Sequence, residues 1–340
     1  EGRAAIAPQQ QTVMGGAPNA HAVDIREIKG QAHAKRALMI AATGGHNILF
    51  IGPPGTGKTM LAQSLTSLLP ALTADEAIEI TKIYSAAGLL GGLPFISFRP
   101  FRAPHQSASA AAVIGGGQNP RPGELSLAHR GVLFLDELPE FRRDILESLR
   151  QPLESGKTVI SRVKSNLTLP AKFTLIAAMN PCPCGYYGDE ERACTCSAYE
   201  VLRFKKQVAG PRLDRFDIQI TVPRLKLETL RASADARATT TVMRETIARS
   251  RAIARERLAR DKHKLTNAEM SSKECDELVQ MDSGAVQFLK TMFDKSLISA
   301  RGYYRILKVA QTIADIETSP RVTQAHLAEA FGYRVRESNH

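Results

Sequence analysis

Apolar residues recur at helical spacing from Asp24 through "IREIKGQAHAKRALMIAA", and "HNILFIG" then gives a short unbroken apolar run ending on glycine. The pair predicts a helix followed by a buried strand. Two further runs, "GVLFLDE" at 131–137 and "FTLIAAMN" at 173–180, read as strands of the same kind, each followed by a turn or a helical stretch. Strands without polar alternation are buried on both faces, so the pattern predicts an α/β core: a parallel sheet flanked by helices. After Pro223 such runs stop. "VMRETIARSRAIARERLAR" and "ARGYYRILKVAQTIADI" repeat at helical spacing with interspersed charge, which predicts a helical domain over 224–340 behind a core over 24–223. No internal repeat is visible. Residues 1–23 are rich in Ala, Gly, Gln and Pro without periodicity and read as a linker; the first residue is Glu1, not Met, so a further domain is expected upstream.

Composition changes this picture in three ways. With 340 residues, 43% of them apolar, the chain can fill a core domain of about 200 residues and a smaller second one. No apolar run approaches the roughly 20 residues of a membrane span and no signal-like segment is present, so no membrane role and a cytoplasmic location are expected. Lys and Arg outnumber Asp and Glu by 45 to 34, a net charge of +11, which favours a polyanionic partner and equally describes a generally basic surface.

The candidate chemistry begins where the first strand ends. Gly52, Pro53, Pro54, Gly55, Thr56, Gly57, Lys58 and Thr59 spell GPPGTGKT, which fits G-x-x-x-x-G-K-[ST] between a strand and a helix, the context that motif needs. Glycines let backbone N–H groups turn inward around phosphate, Lys58 can reach the β and γ phosphates of ATP, and the Thr59 hydroxyl can ligate Mg²⁺. Hydrolysis also requires a carboxylate near the metal and a base for the water. "GVLFLDE" supplies Asp136 for the first and Glu137 for the second, at a strand's carboxyl end where ligands bind in open parallel sheets, although an acid pair there also suits a helix N-terminus. Asn180 ends the third strand as a neutral group able to bond a γ phosphate or the water; Asn before Pro is also a turn signal.

Two segments lie beyond this set. Cys182, Cys184, Cys194 and Cys196 give C-x-C-x₉-C-x-C, four thiolates suited to a closed structural zinc site, with a reduced or fortuitous cluster as the alternative. Cys275 stands apart and reads as a structural residue of the helical domain. "GKTVISRVKSNLTLPAKF" reads as a β-hairpin with Lys164 near its tip.

With the phosphate loop, "VLFLDE", "AAMNP" and "GPRLDRFD" in this order, the chain resembles an AAA+ ATPase. The runs "RPFRAPHQSASAAAVIGGG", "PRPGELSLAHRGVLFLDELPEF" and "MNPCPCGYYGD" resemble the ComM/YifB group of Mg-chelatase-like AAA+ proteins, over about Asp24 to Arg334. The resemblance implies a homo-hexameric ring with ATP sites between subunits, Asn180 as sensor 1, Arg215 as arginine finger assisted by Arg212, and Arg301 as the sensor 2 arginine of a helical lid. It implies that the hairpin enters the ring pore, where Lys164, with Arg162 as a second candidate or a sheet-facing residue, touches DNA phosphates. Segment 105–123 matches the clade's helix 2 insert, a second pore element, or else a packing loop. The group's N-terminal domain resembling the Lon protease fold has no counterpart here. The implied activity is a DNA helicase driving branch migration in homologous recombination during natural transformation. The alternatives are an ATPase subunit of a metal chelatase and, with no nucleophile and base arrangement to support it, a protease-associated unfoldase.

Overall fold

The computed structural model describes residues 23–116, 120–161, 166–208, 210–226, 228–229, 240–261, 264–295 and 298–334. Nine strands are present among them: β1 (Ile48–Ile51), β2 (Phe101–Arg102), β3 (Gly115–Gly116), β4 (Arg121–Pro122), β5 (Val132–Leu135), β6 (Lys157–Ser161), β7 (Asn166–Pro170), β8 (Thr174–Met179) and β9 (Ile218–Thr221). Five form the central sheet in the order β2-β5-β8-β1-β9, every pair parallel. The three unbroken apolar runs thus become its three inner strands. β6 and β7 pair as an antiparallel hairpin, with Ser161 opposite Asn166.

Period-2 geometry divides the apolar residues between two faces. Ile48, Phe50, Phe134, Ile176 and Ile220 point to one, where helix Ala32–Gly44 and helix Lys58–Leu68 bring Leu38, Ala41, Leu61 and Leu65. Leu49, Leu133, Leu135 and Leu175 point to the other, against Phe141, Ile145 and Leu149. Burial on both faces explains why the inner strands carry no polar alternation. The C-terminal helices add to the first face: Ile306, Leu307, Ala310 and Ile313 of helix Ala300–Ile316 share its core with the sheet. Each buried Leu, Ile or Phe side chain among them contributes about 1.5–3 kcal/mol, so the sheet and this helix are held by more than their polar contacts.

This topology sets up two functional edges. The chain leaves inner strand β1, crosses to outer β2, and returns through β5 and β8 to lie beside β1 again. The carboxyl ends of β1, β5 and β8 therefore converge, and so do Gly52, Asp136 and Asn180. Asn47, just before β1, ties the opposite edge: its carbonyl accepts the N–H groups of Asp217 and Ile218 at 3.1 Å each, and its Oδ1 accepts that of Leu175 at 2.8 Å. Among the described residues no helix is long and apolar enough to cross a membrane.

Candidate active site

Gly52 follows β1 so close to the end of β9 that a Cβ there would lie 2.2 Å from the Val222 carbonyl oxygen. Any side chain would part the two strands. Gly57, at φ 84°, makes the left-handed turn into helix Lys58–Leu68, whose free N–H groups face the loop. Thr56 is buried and its Oγ1 donates to the Pro53 carbonyl at 3.0 Å, stiffening the loop from within. Pro54 and Gly55 form its outer turn, with Gly55 at φ 79°.

Lys58 is buried and folds back over the loop. Its Nζ donates to the carbonyls of Gly52 and Pro53 at 2.8 Å each and to Asn180 Oδ1 at 3.3 Å. Burial pulls the ammonium below its usual pKa, against the charge of Asp136. A buried ammonium contacted by carbonyl and amide oxygens gains most from an anion placed in the loop. Asn180 is thus more than a turn residue: its amide joins the loop from the neighbouring strand.

Asp136 and Glu137 leave the end of β5. Thr59 Oγ1 donates to Asp136 Oδ2 at 3.2 Å, so the hydroxyl and carboxylate that would share Mg²⁺ already meet. Glu137 adopts φ 51° and ψ 49°, a left-handed conformation costing about 1–3 kcal/mol of the sort retained at functional sites. Its Oε2 accepts from Nε2 of Gln106 at 3.1 Å. Sequence reasoning did not single out Gln106, because one amide in a loop carries neither periodicity nor charge.

The four cysteines converge just beyond Asn180. Their sulfurs all lie within 4.8 Å of one another, with Cys182 Sγ 3.4 Å from Cys184 and 3.6 Å from Cys194, and Cys184 3.5 Å from Cys194. A zinc tetrahedron with Zn–S of about 2.3 Å has edges of about 3.8 Å, so the cluster fits one with small relaxation. The N–H groups of Cys184 and Tyr187 donate to the sulfurs of Cys196 and Cys182 at 3.3 Å each, the support that metal thiolates need. The Tyr186 N–H, opposed by burial and joined by the Thr195 N–H, brings the Cys184 thiol down to about 5. Gly185, within this loop, packs on the phosphate loop: a Cβ there would lie 2.8 Å from Pro54 Cδ and 3.8 Å from Asn180 Cγ.

The family model described as magnesium chelatase, subunit ChlI, matches residues 24–230, and that of the ChlI C-terminal part matches residues 237–334. The competence protein ComM of Haemophilus influenzae is 48% identical over 316 residues, which are 92% of this chain and 60% of that protein. YifB of Escherichia coli is 44% identical over 313 residues, again 92% and 60%. The magnesium-chelatase 38 kDa subunit of Acidiphilium rubrum is 31% identical over 180 residues, 45% of this chain and 51% of that one.

The chain belongs to the ComM/YifB group of magnesium-chelatase-like AAA+ proteins.

It spans about 60% of the length of its ComM and YifB relatives. Within this magnesium-chelatase-like core, Arg215 lies on the edge opposite the phosphate loop. It ends the 3-10 turn Gly210–Arg215 just before β9, and its carbonyl accepts Asn47 Nδ2 at 3.1 Å. Asn47 and Gly52 flank β1 and lie five residue steps apart, roughly 16 Å at 3.3 Å per residue. The Arg215 guanidinium donates to the Leu146 carbonyl and lines a cleft of about 710 Å³ on that edge, with Arg99, Arg130, Lys172, Arg251 and Arg305 also in its walls. Arg301 is exposed in the first turn of helix Ala300–Ile316, one turn before Arg305, which lies 3.6 Å from Asp217. It too belongs to the Arg215 edge.

The remaining expectations divide. Arg162 and Lys164 lie outside the described residues, between β6 and β7, and so does the side chain of Arg212. Segment 105–123 has a packed base: Val113 of helix Ala110–Ile114 is fully buried, and β3 pairs with β4. Its residues 117–119 lie outside the described set. Cys275 is buried in the C-terminal part, where burial pushes its thiol up to about 11.

Proposed function

We propose that this chain is the motor of an ATP-hydrolysing hexameric ring that translocates on DNA and drives branch migration during homologous recombination in natural transformation, in the cytoplasm. One observation carries the reading. Each chain holds the phosphate loop, Asp136, Glu137 and Asn180 at one sheet edge and Arg215 at the other, beyond reach of its own loop. A group matching an arginine finger but turned away from its own nucleotide is completed by a neighbour, and closing that relation around an axis gives a ring.

ATP would be held by the backbone N–H groups of the loop and Lys58, and Thr59 and Asp136 would hold the Mg²⁺ that neutralises charge on its phosphates. Glu137 orients the attacking water. Asn180 senses the γ phosphate, and Arg215, assisted by Arg212, and Arg301 arrive from the adjacent subunit. An arginine so placed accelerates phosphoryl transfer by about 10³- to 10⁵-fold. The β6–β7 hairpin carries Lys164 and Arg162 to DNA, which the net charge of +11 also favours. The Cys182, Cys184, Cys194 and Cys196 site holds a structural Zn²⁺, since all four positions of a tetrahedron are filled by protein. The name of the ComM relative agrees with a role in competence.

The test is the ATPase rate with and without single-stranded, double-stranded and branched DNA, alongside the mass of the assembly. Stimulation by DNA in a six-subunit particle supports the reading. A second reading, the ATPase subunit of a metal-chelatase-like complex, is favoured by the similarity to the magnesium-chelatase 38 kDa subunit. A flat response to all DNA, with stimulation by a chelatase partner, selects it.

A further inference from the structure

We infer that Asp214 and Asp217 clamp Arg215 to the C-terminal helices of its own chain, so that finger and lid act on a neighbouring nucleotide as one body. The inference rests on the reading of Arg215 as a group lent to the adjacent subunit. Its evidence is the bracketing of Arg215 by two carboxylates, each taken by a lid arginine. Asp214 Oδ1 lies 3.6 Å from Nη2 of Arg334, just past helix Gln324–Gly332. Asp217 Oδ1 lies 3.6 Å from Nη1 of Arg305, on helix Ala300–Ile316.

Further links close the joint. The second oxygen of Asp217 accepts the Asn47 N–H at 3.3 Å and lies 3.5 Å from Nδ1 of His46. The Nε2 of that buried imidazole meets Thr312 Oγ1 at 2.8 Å, two turns after Arg305 on the same helix. Gln219 N–H donates to the Tyr333 carbonyl at 2.6 Å. The Asp217 side chain is 14% exposed. Burial opposes its charge, yet His46, Arg305 and Lys308 hold its carboxyl below the usual range. Ion pairs in such sites are screened less than surface pairs.

Six consecutive residues, 214–219, thus carry lid contacts on both sides of the finger. A lid displacement acting on Arg305 must move Asp217 and with it Arg215. Arg301 rides on the same helix, so the two arginines reach the neighbouring phosphates with a fixed separation. Asp214, Asp217, Arg305 and Arg334 are positioning residues; none of them needs to touch the nucleotide.

The experiment compares Arg215→Ala, Arg305→Ala and Arg305→Lys. It measures kcat and KM for ATP, the affinity for a fluorescent ATP analogue, and thermal stability. The inference expects Arg305→Ala to lower kcat by about 10- to 100-fold, the cost of an ångström-scale misplacement, with KM and analogue affinity unchanged. Arg305→Lys should recover much of that loss. If Arg215→Ala lowers kcat while Arg305→Ala leaves it intact, the clamp is overturned and the finger reading stands. If Arg305→Ala lowers kcat only together with analogue affinity or stability, and Arg305→Lys does not restore it, the contact is structural and the clamp is again overturned. If Arg215→Ala has no effect on kcat, the finger reading fails and the inference falls with it.

Discussion

Nε2 of Gln106 donates a 3.1 Å hydrogen bond to the carboxylate of Glu137, from the loop that follows β2. β2 flanks β5 on the side away from β8 and β1. The bond therefore draws the base toward the outer edge, away from the phosphate loop, and occupies an oxygen that would otherwise accept from water. Gln106→Ala should raise the basal ATPase rate several-fold and reduce stimulation by DNA, measured as phosphate release. A fall in the basal rate would mean that Gln106 positions Glu137 for catalysis rather than restraining it.

Asn180 reaches Lys58 at 3.3 Å from the adjacent strand, whereas the other two oxygens on that ammonium come from the loop itself. Asn180→Ala should leave ATP affinity within a few-fold and lower kcat by about 10- to 100-fold, because the lost bond matters most when charge develops on the γ phosphate. Single-turnover kinetics beside equilibrium binding separate the two effects. An equal loss in both would place Asn180 in ground-state binding instead.

The cysteine cluster should bind one zinc per chain, released by thiol-modifying reagent and counted with a chromogenic chelator. Cys182→Ser removes the buried ligand, and the loop that seats Gly185 on Pro54 should loosen with it. Lower thermal stability and weaker ATP binding are expected together. Full metal content in the Cys182→Ser protein would show that the cluster is not the ligand set.

His129 makes acid stability predictable. The Lys172 N–H donates to its Nδ1 at 3.0 Å, so that nitrogen must be unprotonated, and Nε2–H then donates to Glu79 at 3.1 Å. Burial, against the pull of Glu79, lowers its pKa to about 4. The unfolded imidazole takes its proton near 6.5. Between these values the unfolded chain binds more protons, so stability falls as pH drops from about 6.5 to 4 and is insensitive to this group above that window. The contribution is on the order of 3 kcal/mol. Urea titrations across this range should lose most of the slope in His129→Gln; an unchanged slope would assign the acid sensitivity elsewhere.

What could be read from the sequence follows from how local each signal is. β1, β5 and β8 are unbroken apolar runs because both sheet faces are covered, and the phosphate loop is eight consecutive residues. β2 is two residues long and β9 reads "IQIT", and at sheet edges neither needs a continuous apolar run, so both escaped notice. The C-x-C pairs announced a sulfur cluster, but the seating of Gly185 on Pro54 depends on a loop returning over the nucleotide edge. Gln106 with Glu137, and Arg305 with Asp217, join residues far apart in the chain. Family resemblance named Arg215 and Arg301; only the strand order places Arg215 on the far edge from Lys58, and only the pairing of Arg305 with Asp217 brings the helix of Arg301 to that edge.

The most direct test of the account mixes two inactive proteins. Lys58→Ala removes the phosphate ligand and keeps the finger; Arg215→Ala removes the finger and keeps the phosphate loop. If catalysis occurs where one chain's loop meets its neighbour's arginine, mixed assemblies regain hydrolysis at joints that pair an intact loop with an intact finger, to a clear fraction of the unmodified rate. Mixtures no more active than the separate proteins, under conditions where mass measurement confirms co-assembly, would contradict the account.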